Sequence, residues 1–366
     1  PSNFPSSFDR FEIAIDPNDE NKVYFVSGNR LFAYNESANF WTDLSANINV
    51  STGDVGAGHG SQGGYDLYAA VHPSDPNVIF LGGVNLIRST NGFGTTAQTK
   101  QVGGYNNDNN PNSFPRYPNH HPDNHAYAFF PSNPNRMISA TDGGLHLTEN
   151  NKANVSANNP ITWKSLNNGY ITTQFYHADI HQFDLGDPQL AGGMQDNGTW
   201  AKFTSNAKEN WVEVFGGDGA FTAINYNSIF ASSQRGNLIR YELQGNEYNF
   251  VGNISPTDND SDYLFVNPYH VNPVHQDQVF VAARGRVFFT NDVRNNPGEG
   301  QWSTIINTNL ATQQVSALDV SFQPEGVLYF GTRQGGVYKV ANTKDLADQT
   351  EAQLISNGLP FANISG

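Results

Sequence analysis

Four short polar signatures carry the side chains best suited to chemistry: His121-Pro122-Asp123-Asn124-His125, Thr141-Asp142-Gly143-Gly144, Gln195-Asp196-Asn197-Gly198-Thr199 and Gly216-Gly217-Asp218-Gly219. Their carboxylates, Asp123, Asp142, Asp196 and Asp218, are the candidates for catalysis, because a pair of carboxyl groups at a set separation can cleave a glycosidic bond. Carboxylates with backbone oxygens also form the donor set that Ca²⁺ takes, and Asp142, Asp196 and Asp218 are the residues expected to hold it if a metal binds. The architectural role of these three is the stronger expectation. Asp beside Gly caps a tight turn by accepting backbone N–H groups, and Gly supplies the positive φ. His120, His121, Asp123 and His125 place imidazoles and a carboxylate at alternating positions, where they can share one side of a strand. No second cluster has matching spacing, so a His–Asp hydrogen bond that orders a rim is expected there ahead of a metal.

The elements that must position these signatures repeat along the chain. Phe11 to Pro17 alternates apolar and polar residues and ends at a proline. After a polar turn come Val23 to Val26, a Gly28-Asn29 turn, Leu31 to Tyr34, and a short strand at Trp41. The same order of strand, Pro/Asn turn, strand, Gly turn, strand and Trp-bearing strand returns at spacings of roughly 40–60 residues, a period typical of propeller blades. Seven units are expected, spanning 8–46, 65–104, 123–170, 173–213, 218–255, 263–309 and 316–366, in one all-β propeller domain over 1–366. A four-stranded unit cannot bury both faces alone and is stabilised by packing on its neighbours. With 35 Gly and 19 Pro and only 14% charged residues, the composition suits many turns and short strands better than helices.

Composition also removes some functions. A net charge of −15 leaves no basic footprint for nucleic acid and disfavours anionic lipid. The absence of Cys excludes a disulfide-stapled module and thiolate chemistry. No apolar run reaches membrane-spanning length. The start at Pro1 reads as that of a processed or excerpted chain.

Phrases such as Ser89-Thr90-Asn91-Gly92, Tyr329-Phe330-Gly331-Thr332 and 184–188 with Gly192-Gly193 resemble repeats of the BNR, sortilin-like propeller superfamily, whose blades often carry an Asp-box ending in Trp. The boxes here are degenerate: Tyr34 to Trp41, Thr148 to Trp163 and Thr290 to Trp302 keep the Trp and stretch or lose the Asp and Gly. The order of the four signatures is similar to that of a secreted bacterial subgroup. The resemblance implies a secreted or cell-surface protein, such as an adhesin or a cargo of the Bacteroidetes-type (type nine) secretion route. Xyloglucan-degrading relatives place their cleft between two propellers, and this chain carries one. Sialidases need an arginine triad with an Arg-Ile-Pro start, which is missing.

In a propeller blade the turns alternate between two faces. The Gly turns and the links between blades then share a face with Asp123, His125, Asp142, Gln195, Asp196, Asn197 and Asp218. Arg235, Arg284, Arg286 and Arg333 are expected on the remaining part of that rim. The long links over 47–64, with His59, and over 103–122, with Tyr105, Phe114, Arg116 and Tyr117, fall there too, and long irregular loops are more often functional. Tyr105, Tyr117 and Tyr170 are candidates for a sugar-stacking platform. Together these features predict a non-catalytic, carbohydrate- or protein-binding module that uses the loop-rich face, with no cofactor unless Ca²⁺. The alternative is a glycoside hydrolase or lyase that acts on a polysaccharide through paired rim Asp residues.

Overall fold

The computed structural model describes residues 10–48, 60–105, 116–156, 158–169, 173–181, 189–204, 206, 210–245, 247–295, 297–298, 300–359 and 362–365. His59, Phe114, Tyr170 and 184–188, singled out above, lie outside them. The chain divides into two compact units, Pro1–Thr172 and Thr173–Gly366.

The first unit holds three sheets: Glu12–Asp16, Asp19–Ser27, Arg30–Asn35 and Phe40–Asp43; then Tyr68–His72, Asp75–Gly82, Leu86–Ser89 and Thr99–Gly103; then Asn124–Phe130, Asn133–Thr141, Gly144–Thr148 and Lys164–Ser165. The second unit holds four. They are Phe175–Ile180, Leu190–Met194, Gly198–Lys202 and Val212–Phe215; Thr222–Asn225, Ser228–Ser232, Leu238–Gln244 and Glu247–Asn253; Tyr269–Val271, Val279–Ala283, Arg286–Thr290 and Ser303–Ile306; and Val315–Val320, Leu328–Thr332, Val337–Val340 and Gln353–Leu354. Each sheet is an antiparallel meander in chain order. The sixth departs from four strands, because Thr350–Glu351 pairs parallel to Ser303–Ile306 before the chain turns back to complete the seventh sheet. Among the described residues the only helical segments are short 3₁₀ turns, and none is long and apolar enough to cross a membrane.

The residue pattern explains this arrangement. The second strand of a sheet is apolar on both sides, as in Val78-Ile79-Phe80-Leu81 and Val279-Phe280-Val281-Ala282, and all eight of these residues are buried. A strand with a neighbouring sheet on each face has no polar side to show. First strands alternate instead, with Ala14 and Asp16 buried while Ile13 and Ile15 are exposed. Within each unit, successive sheets adjoin through these first strands: Glu12–Asp16 beside Tyr68–His72 beside Asn124–Phe130, and likewise from Phe175–Ile180 to Val315–Val320.

The cores lie between neighbouring sheets. Tyr24, Val26 and Leu31 meet Ala69 and Leu81; Phe230 and Leu238 meet Val281 and Phe288; Phe280 and Phe289 meet Leu328 and Phe330. Each large side chain so buried contributes about 1.5–3 kcal/mol. Trp163 shows how closing residues bind sheets together. Its indole is buried, and its N–H donates to the Val102 carbonyl of the preceding sheet at 2.7 Å. Arg88 does the same with a charge: its guanidinium is buried and donates to the carbonyls of Asn151 and Ala153 at 2.8 and 2.7 Å. Burial lowers its pKa to about 10.

Candidate functional site

In the first unit the site is built on the link before the second sheet. Gly63 (φ 69°) and Gly64 (φ 92°) turn the chain sharply, and a Cβ on Gly64 would stand 2.6 Å from the Arg10 side chain. The Arg10 guanidinium donates to the carbonyls of Gly64 at 2.9 Å and Tyr65 at 3.1 Å, which fixes the segment carrying Gln62, Tyr65 and Asp66. Asp123 opens the third sheet in the left-handed region at φ 61°, a conformation that Asp tolerates better than most residues. Its N–H donates to Val84 at 3.0 Å, and its carbonyl accepts the Asp142 N–H at 3.2 Å. That backbone bond sets the two signatures side by side, with carboxylate oxygens of Asp123 and Asp142 within 4.8 Å of each other.

The side chains then interlock. His125 Nε2 lies 2.5 Å from Asp142 Oδ1, and the Tyr65 hydroxyl donates to Asp142 Oδ2 at 3.3 Å. The Tyr65 ring meets the His125 ring edge-on at 5.1 Å. Gln62 Nε2 donates to Asp123 Oδ1 at 3.0 Å. Asp66 is 0% exposed and its carboxyl lies against that of Asp123, yet neither Asp66 oxygen receives a hydrogen bond from an N–H or O–H group. Burial pushes its pKa up to about 6; the Asp142 charge adds to the rise and the Asp123 contact opposes it.

The other polar residues of this region are structural. His120 is buried, with Nδ1 accepting the Gly104 N–H at 3.1 Å, Nε2 3.1 Å from Ser139 Oγ, and its ring 4.5 Å from that of Trp163. His146 contacts the Asn119 carbonyl and Thr141 Oγ1, and burial pushes it down to about 4. His121 is also buried, packed so closely on Gly143 that a Cβ there would stand 2.2 Å from its ring. His120 and His121 are thus held in the packing of the first unit, while His125 lies against Asp142. Tyr117 requires a correction. It is 2% exposed, and its hydroxyl donates to the Ile161 carbonyl at 2.8 Å and accepts the Ile161 N–H at 3.0 Å, so it cannot stack on a sugar. Tyr105 is half-buried in a β-bridge with Arg116.

In the second unit the two remaining signatures form one joint. Asp196, at φ 60°, donates its N–H to Asp218 Oδ1 at 3.0 Å, the turn-capping role expected of Asp218. Gly198 N–H reaches Gly217 at 2.9 Å and Gly219 N–H reaches Met194 at 3.0 Å. A Cβ on Gly219 would stand 2.1 Å from the Gly198 carbonyl oxygen, so the signature is glycine because two backbones touch. Exposed Gln195 accepts the Tyr176 hydroxyl, and the carbonyl of Asn197 accepts the Trp200 indole N–H at 2.6 Å. Burial, and then the charges of Asp218 and Asp196, push the Tyr176 phenol up.

Arg235, Arg284 and Arg333 sit on the Gly turns of the next three sheets, and all three are exposed. Arg235 donates its N–H to Phe265 and Arg284 bridges to Gln314, so these two turns are pinned to a following link, whereas Arg333 donates its N–H to the Gln314 carbonyl of the link before its own sheet. Among the described residues these three guanidinium groups have no ion-pair partner, whereas Arg286 is half-buried and lies over the Phe288 ring at 5.4 Å.

A further polar cluster escaped the sequence reading. His177, Asp179 and His270 line a cavity of about 110 Å³ between the first strands of three sheets in the second unit. Asp179 accepts the Ile224 N–H at 2.8 Å, and His270 Nε2 lies 3.4 Å from Asp319 Oδ1. Burial raises the pKa of Asp179 and lowers those of both histidines. The available signal was the two-residue spacing of His177 and Asp179, which puts both on one side of a strand.

No family model and no curated protein sequence matches this chain. Solved structures do. A crystal structure described as an ancestral GH74 enzyme aligns over 94% of this chain and 51% of its own length, at 13% identity and a TM-score of 0.52. The GH74 xyloglucanase from Xanthomonas campestris aligns over 94% of this chain and 55% of its own, at 12% identity and a TM-score of 0.35. YCF48 from Cyanidioschyzon merolae aligns over 91% and 95%, at 11% identity and a TM-score of 0.33. The first likeness, with the seven sheets, shows a β-propeller fold. The chain spans about half the length of the GH74 structures it matches.

Proposed function

We propose that this chain is a non-catalytic binding module of a secreted or cell-surface protein, in the manner of the Asp-box propellers, and that it takes an acidic glycan on the Gly-turn rim of its second unit. The observation that carries this reading is the run of Arg235, Arg284 and Arg333 on consecutive turns. They are exposed and, among the described residues, without ion-pair partners, in a chain of net charge −15. On an acidic surface such exposed cations favour an anion, which supports this rim as the site. Guanidinium groups suit carboxylate or sulfate groups on a sugar because their N–H fork matches such oxyanions.

The rim carboxylates argue against hydrolysis. An acid, base or nucleophile has to touch the substrate. Asp123 is 6% exposed, Asp142 is bonded to both His125 and Tyr65, and Asp218 caps the Asp196 N–H.

A glycan array followed by titration of the best acidic polysaccharide tests the reading. Arg235→Ala/Arg284→Ala/Arg333→Ala is expected to weaken binding at least about tenfold, since hydrogen bonds to charged groups contribute about 1.5–3 kcal/mol each. Added salt should weaken the wild type more than this variant. Unchanged affinity in the variant, preference for an acidic protein segment over every glycan, or release of reducing sugar that disappears in Asp142→Asn would each overturn it.

A further inference from the structure

We propose that a cavity in the second unit, at the opposite end of the strands from the arginine rim, is a site for a neutral sugar ring. Its volume is about 320 Å³, in the range of small-ligand sites, and Tyr226, His275, Asp277, Gln278, Asn291 and Lys344 line it. The strand Val279–Ala283 begins beside Gln278 and ends beside Arg284, so about 20 Å of extended chain separates this cavity from the rim. The strand Ser228–Ser232 likewise runs from the turn at Tyr226 towards Arg235.

The walls are built by amide groups. Gln278 is 3% exposed; its Nε2 donates to Asn291 Oδ1 and to the Thr343 carbonyl, both at 2.7 Å, and its Oε1 accepts Asn272 Nδ2 at 2.7 Å. Gln276 Oε1 accepts the Tyr226 N–H at 3.2 Å, and the Gln276 carbonyl accepts Asn225 Nδ2. Tyr226 holds the first position of a two-residue hairpin turn, at φ 41°, where Gly or Asn is favoured and a bulky side chain is strained. Such strain is concentrated at ligand-binding positions. The ring is 49% exposed, and the Arg294 guanidinium lies over it at 5.2 Å while paired with Asp277.

The polar groups decide the ligand. Asp277 is neutralised by Arg294, and His275 Nε2 lies 3.0 Å from Glu325 Oε1. Among the described residues the Tyr226 hydroxyl, Asn291 Nδ2 and Lys344 Nζ have no protein partner. One ammonium is too little charge to select a polyanion, and no carboxylate is left to select a cation. An aromatic ring beside an amide donor, a hydroxyl and an ammonium suits the apolar face and the hydroxyl groups of a pyranose.

The test titrates the full chain with the methyl glycosides of glucose, galactose, mannose and N-acetylglucosamine, read by saturation-transfer NMR and calorimetry. Saturable binding of at least one is expected. Tyr226→Gly removes the ring and suits the positive φ, so it should melt no lower than the wild type and bind at least about fivefold more weakly. Lys344→Met keeps the stem, loses the ammonium and should weaken binding about tenfold. Arg235→Ala/Arg284→Ala/Arg333→Ala should bind these glycosides as the wild type does, so the acidic-glycan reading of the rim stands or falls separately. No saturable binding of any of the four would overturn the proposal. So would affinity unchanged in both Tyr226→Gly and Lys344→Met, loss of binding in the arginine variant, or tighter binding of methyl glucuronide than of every neutral glycoside.

Discussion

Asp66→Asn isolates the electrostatic cost of the acidic cluster, and its magnitude follows from the structure. The Asp66 carboxyl titrates at about 6 in the folded chain against 3.8 when free in solution. Between those values the folded chain keeps a proton that the unfolded chain has already released, so stability falls as pH rises through this window. The full penalty is present above about pH 6 and absent below about pH 4. At 1.36 kcal/mol per pH unit, it amounts to about 3 kcal/mol. Asn keeps the shape and removes the charge, so in chelator the variant should match the wild type near about pH 4 and exceed it by about 3 kcal/mol near about pH 7. Other carboxyls titrate in the same range, so the measured quantity is the difference between the two pH profiles. Hydrogen exchange at the Asp123 and Asn124 amides, which donate to Val84 and Gly83, reads the stability of the first unit itself. Parallel pH profiles for the two proteins in chelator would refute the reasoning.

Two further predictions concern architecture. Gly219→Ala places a methyl 2.1 Å from the Gly198 carbonyl oxygen and 2.7 Å from the Met194 nitrogen, so one of the two backbones must move. A loss of about 2–4 kcal/mol in denaturant melts is expected. Tyr117→Phe leaves the buried Ile161 carbonyl and N–H without their partner, at a cost of about 1–3 kcal/mol in the same melts. Because the ring is enclosed, glycan affinity should be unchanged.

The fold was legible because its signals are local. Alternating first strands, doubly apolar second strands and Gly turns recur with the same order of turn types, and the observed sheets fall where those patterns end. The glycines of Gly216-Gly217-Asp218-Gly219 announced a turn, although their reason, contact with the hairpin at Asp196, is tertiary. Asp66 had no such signal. It lies one residue past an exposed Tyr and gains its environment from Asp123, 57 positions later, through a link whose course depends on Arg10. Tyr117 misled for a related reason: an Asn- and Pro-rich link reads as surface, but its end folds inward onto Ile161. Arg88 belongs with them, since a charged residue in a strand reads as solvent-facing until the carbonyls of a neighbouring turn supply its acceptors.

These placements give the charged residues of the two units different work. In the first unit Asp66 and Asp123 are buried, at 0% and 6% exposure, so these carboxyls reach a substrate poorly. In the second unit Asp218 accepts the Asp196 N–H and Asp179 the Ile224 N–H, while Arg235, Arg284 and Arg333 face solvent. Catalysis by paired carboxylates would need the reverse: exposed acids of unlike pKa along an open cleft, with the arginines supporting them. The group that comes nearest is Asp179 with His177 and His270, which line a cavity of about 110 Å³, and burial there raises the carboxyl and lowers both imidazoles. On the binding reading proposed above, the exposed Arg235, Arg284 and Arg333 and not these carboxyls would meet the ligand.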